Sequence, residues 1–322
     1  MEPLVYISDP MTTTHPSTLP LETLDEVAGL IGNTPLYPIR RAFDKPGVQL
    51  YAKLEWHQLG HSVKARAAYH IIRDAVLRGE LGPHKRLLDA TSGNTGIAYA
   101  AICARLGLGL TICLPENASP ERKLQLRALG AELVLTSPLE GTDGAQERAR
   151  ALYAAHPSRY FYADQYNNDA NLLAHYLTTA REIYHQTRGA ITHFVAGLGT
   201  TGTFVGTTRK LKEINPEIQA ISLHPDSPMH GLEGWKDLET ARVPGIYDGR
   251  LADRTLEVST ETAYAWVRKA ALEEGLLLSP SSAANLAGAV EVARSLDSGV
   301  VVTVLPDDAS KYREVLDEIF QN

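Results

Sequence analysis

The sequence predicts an α/β protein of two domains, each with a mostly parallel, twisted sheet flanked by helices. Three observations carry that reading. Strand-like apolar runs alternate with helix-length amphipathic runs, the signature of βαβ units. The alternation occurs as two series, separated by a polar and aromatic stretch, "YADQYNNDANLLAHY". The 322 residues are also long enough for two cores.

In the first series, "VQLYAKLE" reads as a strand and "SVKARAAYHIIRDAVLRG" as a helix ending at Gly79. "RLLDA" and "NTGIAYAAICARLG" form the next strand and helix, followed by "LTICLP", "PERKLQLRALG" and "AELVLT". In the second, the strand "THFVAGLG" leads into the helix "TGTFVGTTRKLKE"; "QAISLHP", "AYAWVRKAALEEG" and "GVVVTVLP" follow. The stretch between the series is expected to be a loop or crossover. Residues 1–20, rich in Thr and Pro, are expected to be a flexible tail. Ligands of such sheets sit at the carboxyl ends of the strands.

Composition excludes several functions. Net charge is 31 − 38 = −7, which disfavours a nucleic-acid or anionic-membrane partner. No long uncharged apolar run and no signal-peptide pattern is present, so a cytoplasmic location is expected. The two cysteines, Cys103 and Cys113, make no metal pattern and no disulfide framework, and no metal site is expected.

Three turns and one lysine carry the chemistry. Lys64 opens a helix, where the positive end of the helix dipole disfavours a cation. "AGLGTTGTFVG" joins a strand to a helix; Gly199 and Gly202 allow close approach, and Thr200, Thr201 and Thr203 add hydroxyls. It reads either as a structural turn or as a site for a compact phosphate, and it lacks the acidic residue of a dinucleotide site. "DATSGNTGIAYA" places Thr91, Ser92, Gly93, Asn94 and Thr95 at a second strand-to-helix turn. One hydroxyl is enough for a helix cap; the surplus suits a bound carboxylate. "LLLSPSSAANLAGA" is a third Ser-rich helix start, readable by itself as an N-cap.

In this order, S-V-K, T-S-G-N-T-G, G-x-G-T-x-G-T and S-S before a small-residue helix, the motifs resemble those of the cysteine synthase family. "GLIGNTPLYPI" is similar to the family's opening; "DQYNNDANLLAHY" and "ITHFVAGLGTTGT" resemble its cysteine synthase B branch. The likeness runs from about residue 26 to the C-terminus. It implies the tryptophan-synthase-β-like fold and a pyridoxal 5'-phosphate cofactor. With it go a smaller mobile domain over 50–170 and a larger cofactor-phosphate domain over 21–49 and 171–322.

The resemblance also implies roles. Lys64 would carry the cofactor as a Schiff base and act as the base at the substrate α-carbon; an imine has lost the point charge that a helix start disfavours. Gly199, Thr200, Thr201, Gly202 and Thr203 would hold the cofactor phosphate, Asn94 the ring hydroxyl, and Ser281 the ring nitrogen, with Ser282 its substitute. Thr91, Ser92, Gly93, Thr95 and Gln165 would grip the substrate carboxylate. The implied reaction is β-replacement: an activated serine loses its β-group to give an α-aminoacrylate, and a sulfur donor, sulfide or a thiocarboxylated carrier protein, completes L-cysteine. A homodimer is implied too.

Some residues depart from the family pattern: Gln58, Leu59 and Ala65 around the lysine turn, Ala283 after the serines, and Asp307 and Asp308 where small or hydroxyl residues are frequent. Glu233 stands where relatives that take O-phosphoserine present an arginine, which favours an O-acetyl leaving group; Lys236, Arg242, His224 and His230 are the available compensating groups. A cystathionine β-synthase or a serine/threonine dehydratase would share most motifs, although dehydratase turns read S-x-G-N-H. A non-catalytic α/β binding module is the reading from another class.

Overall fold

The computed structural model describes residues 21–91 and 93–321; the expected tail and Ser92 lie outside the described residues. Among the described residues the strands form two sheets. The larger comprises β1 (Leu36–Ile39), β2 (Val48–Leu54), β7 (His193–Gly197), β8 (Gln219–Pro225), β9 (Arg254–Val258) and β10 (Gly299–Leu305), in the order β1-β2-β10-β7-β8-β9. All its pairs are parallel except β1 with β2. The smaller comprises β3 (Arg86–Ala90), β4 (Leu110–Pro115), β5 (Glu132–Thr136) and β6 (Tyr160–Tyr162), all parallel, in the order β5-β4-β3-β6. The expected α/β class and mostly parallel pairing are therefore present.

The helices are α1 (Leu21–Ala28), α2 (Lys64–Leu77), α3 (Asn94–Leu106), α4 (Pro120–Ala128), α5 (Gly141–Ala155), α6 (Asp169–Ala174), α7 (Ala180–Gln186), α8 (Gly202–Ile214), α9 (Thr260–Glu274), α10 (Pro280–Arg294) and α11 (Arg313–Gln321). Around the smaller sheet, Ile71, Ile72, Tyr99, Ile102, Leu110 and Ile112 form one core from α2, α3 and β4. In the larger sheet α9 and α10 cover one face and α8 the other. β4 is buried along its whole length, which is why its sequence is continuously apolar rather than alternating. Helix α10 is small-residue-rich because it packs closely: a Cβ on Gly288 would lie 2.6 Å from Leu223 of β8.

The polar stretch between the two series is only partly a loop. Residues 169–174 are helical and continue through a π-helical turn, His175–Thr179, into α7. Asn168 caps α6 by accepting from the Ala170 N–H, a local signal that the aromatic and amide content masks. The boundary expected at residue 50 falls inside β2, which pairs with β10 of the larger sheet.

A buried charge cluster ties these parts together. The Arg66 guanidinium of α2, fully buried, binds Glu55 through Nε at 2.6 Å and Nη2 at 2.9 Å, and Glu182 of α7 through Nη1 at 2.7 Å and Nη2 at 2.8 Å. Lys53 of β2 lies 2.6 Å from Glu182. Thr34 donates to Glu55 at 2.8 Å, and Gln58, one of the atypical residues, donates to Glu55 at 2.8 Å while accepting from Gly32 N–H at 3.0 Å.

Removing one partner of such a pair strands a buried charge. Arg66→Met should therefore cost about 3–5 kcal/mol in urea unfolding. Burial opposes ionisation of Glu182, but Arg66 and Lys53 win and hold its carboxyl down from 4.5 to about 2. Because the folded value is depressed, this stability is fully present above pH 4.5 and drains as pH falls from 4.5 towards 2. Urea midpoints of the wild type should fall across that window, and those of Arg66→Met should fall less.

Candidate active site

The carboxyl ends of β2, β7 and β10 meet those of the smaller sheet at one cleft. The chain leaving β2 turns through Gly60 and His61, both at positive φ (80° and 50°), before α2 begins. Val63 N–H donates to Pro306 O at 2.8 Å, anchoring the start of α2 to the end of β10. Lys64 thus stands where the two sheets face each other. Burial pushes its amine down to about 8, against the opposing field of Asp307.

Two compartments share that lysine. The first is lined by Lys64, Asn94, Gly199, Thr200, Thr201, Thr203 and Ser281 among others. The second is lined by Lys64, Thr91, Asn94, Thr95, Gln165, Arg122 and Tyr312 among others. Of the residues expected to hold the cofactor, Gly202 alone is absent from the lining of the first compartment; of those expected to hold the substrate, Thr91, Thr95 and Gln165 line the second, and Ser92 lies outside the described residues.

The 199–203 turn is shaped for a close ligand. Thr201 adopts the left-handed conformation, φ 70°, which is costly for a β-branched residue. Its hydroxyl is buried and without a protein partner. A Cβ on Gly199 would lie 2.0 Å from Gly234 O, and one on Gly202 would lie 2.1 Å from Asn171 Oδ1. α8 starts directly behind, with its N–H groups directed at the turn.

At the third turn, Ser279 caps α10 by accepting from Ser282 N–H at 3.2 Å. Ser282 Oγ is spent on the Asp307 backbone, donating to its carbonyl at 2.6 Å. Of the two serines that the sequence left as alternatives, Ser281 lines the cavity.

In the second compartment Thr91 Oγ1 accepts from Gly93 N–H at 3.1 Å, and Thr95 Oγ1 donates to Gln165 Oε1 at 2.8 Å. Gln165 Nε2 donates to Ala90 O at 2.9 Å.

Sequence reasoning missed three functional neighbours. Asn171 Nδ2 donates to Gln165 O at 2.7 Å and to Thr200 Oγ1 at 3.0 Å, linking the two turns. His175, on the π-helical turn, contacts Thr203 Oγ1 through Nε2 at 3.2 Å and Thr179 through Nδ1 at 2.9 Å. Burial drives the His175 imidazolium well below its ordinary range, so the ring is neutral. The third is Arg122 of α4, which forms a bidentate ion pair with Glu233, Nη2 to Oε2 at 2.7 Å, and lies over the Tyr312 ring at 5.2 Å. The π-turn and the "YNNDAN" amides were the available signals for the first two; nothing near Arg122 in sequence distinguishes it from the surface arginines of an amphipathic helix.

Of the other groups weighed beside Glu233, Lys236 binds Asp143 at 3.1 Å and lies over Tyr166, which lines the second compartment. Arg242 lines a separate depression beside α5. His230 accepts from Leu232 N–H, and burial lowers His224 and His230. Cys103 and Cys113 are buried free thiols, both pushed up to about 12 by desolvation.

A desolvated lysine facing a hydroxyl-rich anion turn, between two parallel sheets, defines an α/β enzyme that binds a phosphorylated cofactor. The model of the pyridoxal-phosphate dependent enzymes matches residues 27–307, and the chain belongs to that family. It is 47% identical over 295 residues to the cysteine synthase of Aquifex aeolicus, covering 89% of this chain and 90% of the relative. It is 38% identical to cysteine synthase B of Salmonella typhimurium, over 91% and 94% of the two chains. A crystal structure of cysteine synthase (OASS) from Entamoeba histolytica superposes with a TM-score of 0.85 at 28% identity, over 99% of both chains. No helix among the described residues is long and apolar enough to cross a membrane.

The cofactor is pyridoxal phosphate, and the residues present fit it. Thr201 offers an unpartnered buried donor, the glycines leave backbone accessible, and Lys64 is neutral in part near pH 8. Thr201→Val should leave folding intact and weaken cofactor binding about tenfold or more, since a hydrogen bond to a charged group contributes about 1.5–3 kcal/mol. A fluorescence titration of cofactor measures it.

Proposed function

We propose that the protein is a cysteine synthase: it exchanges the β-substituent of an activated serine for a sulfur nucleophile. The observation that carries this reading is the pair of compartments meeting at Lys64, one suited to the cofactor and one to an amino acid. The cofactor, when bound, supplies an electron sink for charge developing at the substrate α-carbon.

The chain's own groups do the rest. Gly199, Thr200, Thr201, Gly202 and Thr203, with the start of α8, hold the phosphate, and neutral His175 orients the Thr203 hydroxyl. Asn94 meets the ring hydroxyl. Ser281 meets the ring nitrogen as a neutral hydroxyl, which leaves that nitrogen without the proton a carboxylate would retain. Thr91, Ser92, Gly93, Thr95 and Gln165 bind the substrate carboxylate. Lys64, its proton affinity lowered by burial, removes the α-proton.

Binding at the 91–95 turn draws the four-stranded unit onto the six-stranded one and excludes water. This extends the proposed division into a mobile unit over 50–170 and a larger one over 21–49 and 171–322, with residues 50–54 of β2 staying with the larger sheet they pair into. The Arg122–Glu233 pair spans the two at the mouth of the second compartment. We propose a homodimer acting on a small-molecule amino acid in the cytoplasm, with sulfide or a thiocarboxylated carrier as sulfur donor.

The leaving group follows from the same ion pair. Glu233 occupies the guanidinium fork of Arg122, whose side chain is only 8% exposed. A dianionic phosphate would have to take that fork from a carboxylate already in place, whereas an acetyl group has no such need. O-acetylserine is therefore the favoured donor.

Lys64→Ala should abolish the near-visible absorbance of the lysine-linked cofactor and cut turnover of O-acetylserine with sulfide by roughly 10²–10⁴-fold, with far-UV circular dichroism unchanged. Full turnover in this variant would sink the assignment.

For the donor, kcat/KM should favour O-acetylserine over O-phosphoserine by about tenfold, equivalent to about 1.4 kcal/mol. Glu233→Gln, which takes the carboxylate charge from the Arg122 fork, should narrow or reverse that ratio. The reverse preference in the wild type would instead point to Lys236 as a phosphate anchor.

A further inference from the structure

The 199–203 turn presents three threonine hydroxyls, and the fold dictates the direction of one of them. Thr200 stands where the two compartments meet and lines both. Asn171 Nδ2 lies 3.0 Å from its Oγ1, and both residues are buried.

Asn171 belongs to α6, which packs against both α2 and α8. A side-chain amide can be placed either way round, and what faces each end decides. Here the same Nδ2 lies 2.7 Å from the backbone carbonyl of Gln165. A carbonyl oxygen only accepts, so the end that faces it is the NH₂. The Oδ1 end lies against Gly202, where an added Cβ would come within 2.1 Å of it.

With the flip settled, both amide hydrogens are committed, one to Gln165 O and the other to Thr200 Oγ1. Thr200 therefore accepts from Asn171, and its single hydroxyl proton must point elsewhere. Among the described residues the contact with Asn171 is the only hydrogen bond of that hydroxyl. Its open side is the cavity. A group there that only accepts, as a phosphate oxygen does, is the partner such a proton suits. The neighbouring threonines are not set in this way: Thr201 Oγ1 has no protein partner, and the histidine nitrogen beside Thr203 can donate or accept.

We propose that Asn171 is a positioning residue of the cofactor site: by donating to Thr200 it turns the Thr200 hydroxyl proton into the cavity, ready to donate to the cofactor phosphate. This rests on the reading that the 199–203 turn holds that phosphate.

The test uses the full-length protein, stripped of cofactor and titrated in parallel with pyridoxal phosphate and with pyridoxal, which lacks the phosphate. The near-visible absorbance of the lysine-linked form reads both. Asn171→Leu keeps the volume and removes the donor. It should weaken pyridoxal phosphate by roughly three- to tenfold, the contribution of one hydrogen bond, and leave pyridoxal unchanged. A residue that only holds the fold together would weaken both ligands equally, and that result overturns the proposal. Thr200→Val supplies a second arm. In that background Asn171→Leu should have no further effect, because the hydroxyl it orients is gone; losses that multiply instead overturn the proposal. Should Asn171→Leu fail to fold, Asn171→Ser, one bond shorter than the amide, takes its place in both arms with the same expected and overturning results. If Thr200→Val binds pyridoxal phosphate as the wild type does, the assignment of the phosphate turn fails and the proposal with it. A weakened Thr200→Val beside an unchanged Asn171→Leu is a failure of the proposal alone.

Discussion

The placement of Lys64 depends on a guanidinium two residues further along α2. Arg66 is fully buried, and its fork is closed by Glu55 after β2 and Glu182 on α7. Lys53 adds a second cation on Glu182, and Thr34 and Gln58 complete the shell of Glu55. Such a cluster has a large desolvation cost and adds little net stability compared with apolar packing. What it contributes is geometry: charges with fixed partners admit one arrangement of β2, α2 and α7. The first turn of α2 therefore has one position, and so does the lysine that opens it.

From that anchor the site is held by polar links between segments distant in sequence. Thr95, Gln165, Asn171 and Thr200 form a continuous path from the carboxylate turn to the phosphate turn. A second path runs from Arg122 over Tyr312 to Asp307 and Asn94, joining the mouth of the cleft to its floor. Both paths join residues that line the two compartments around Lys64. The strain at Thr201, a β-branched residue in the left-handed region, sits next to Thr200, where the first path meets the anion turn.

The departures at Gln58, Ala65, Ala283, Asp307 and Asp308 have physical accounts here. Gln58 caps Glu55 and the Gly32 turn. Ala65 lies in the apolar core on the inner face of α2. Ala283 is buried in α10 against the larger sheet. Asp307 accepts from Asn94 and Tyr312, and Asp308 caps the short turn that presents Lys311.

The sequence by itself determined the alternating elements, the glycine- and hydroxyl-rich turns and the lysine. These are local: a strand-to-helix turn needs its glycines whatever surrounds it, and a continuous apolar run such as that of β4 is a buried parallel strand in almost any context. The motifs of the cofactor and carboxylate turns were legible for that reason. Only the tertiary structure decided which groups those motifs work with. Asn171, His175 and Arg122 look in sequence like ordinary amide, aromatic and surface residues; their roles appear because folding places them against Thr200, Thr203 and Glu233. The same holds for Glu233, which in sequence is a bare carboxylate and in the fold is half of an ion pair. Hydrogen bonds and ion pairs between residues 28 to 111 positions apart leave no periodicity to read, because their spacing is set by chain path rather than by the repeat of a helix or strand.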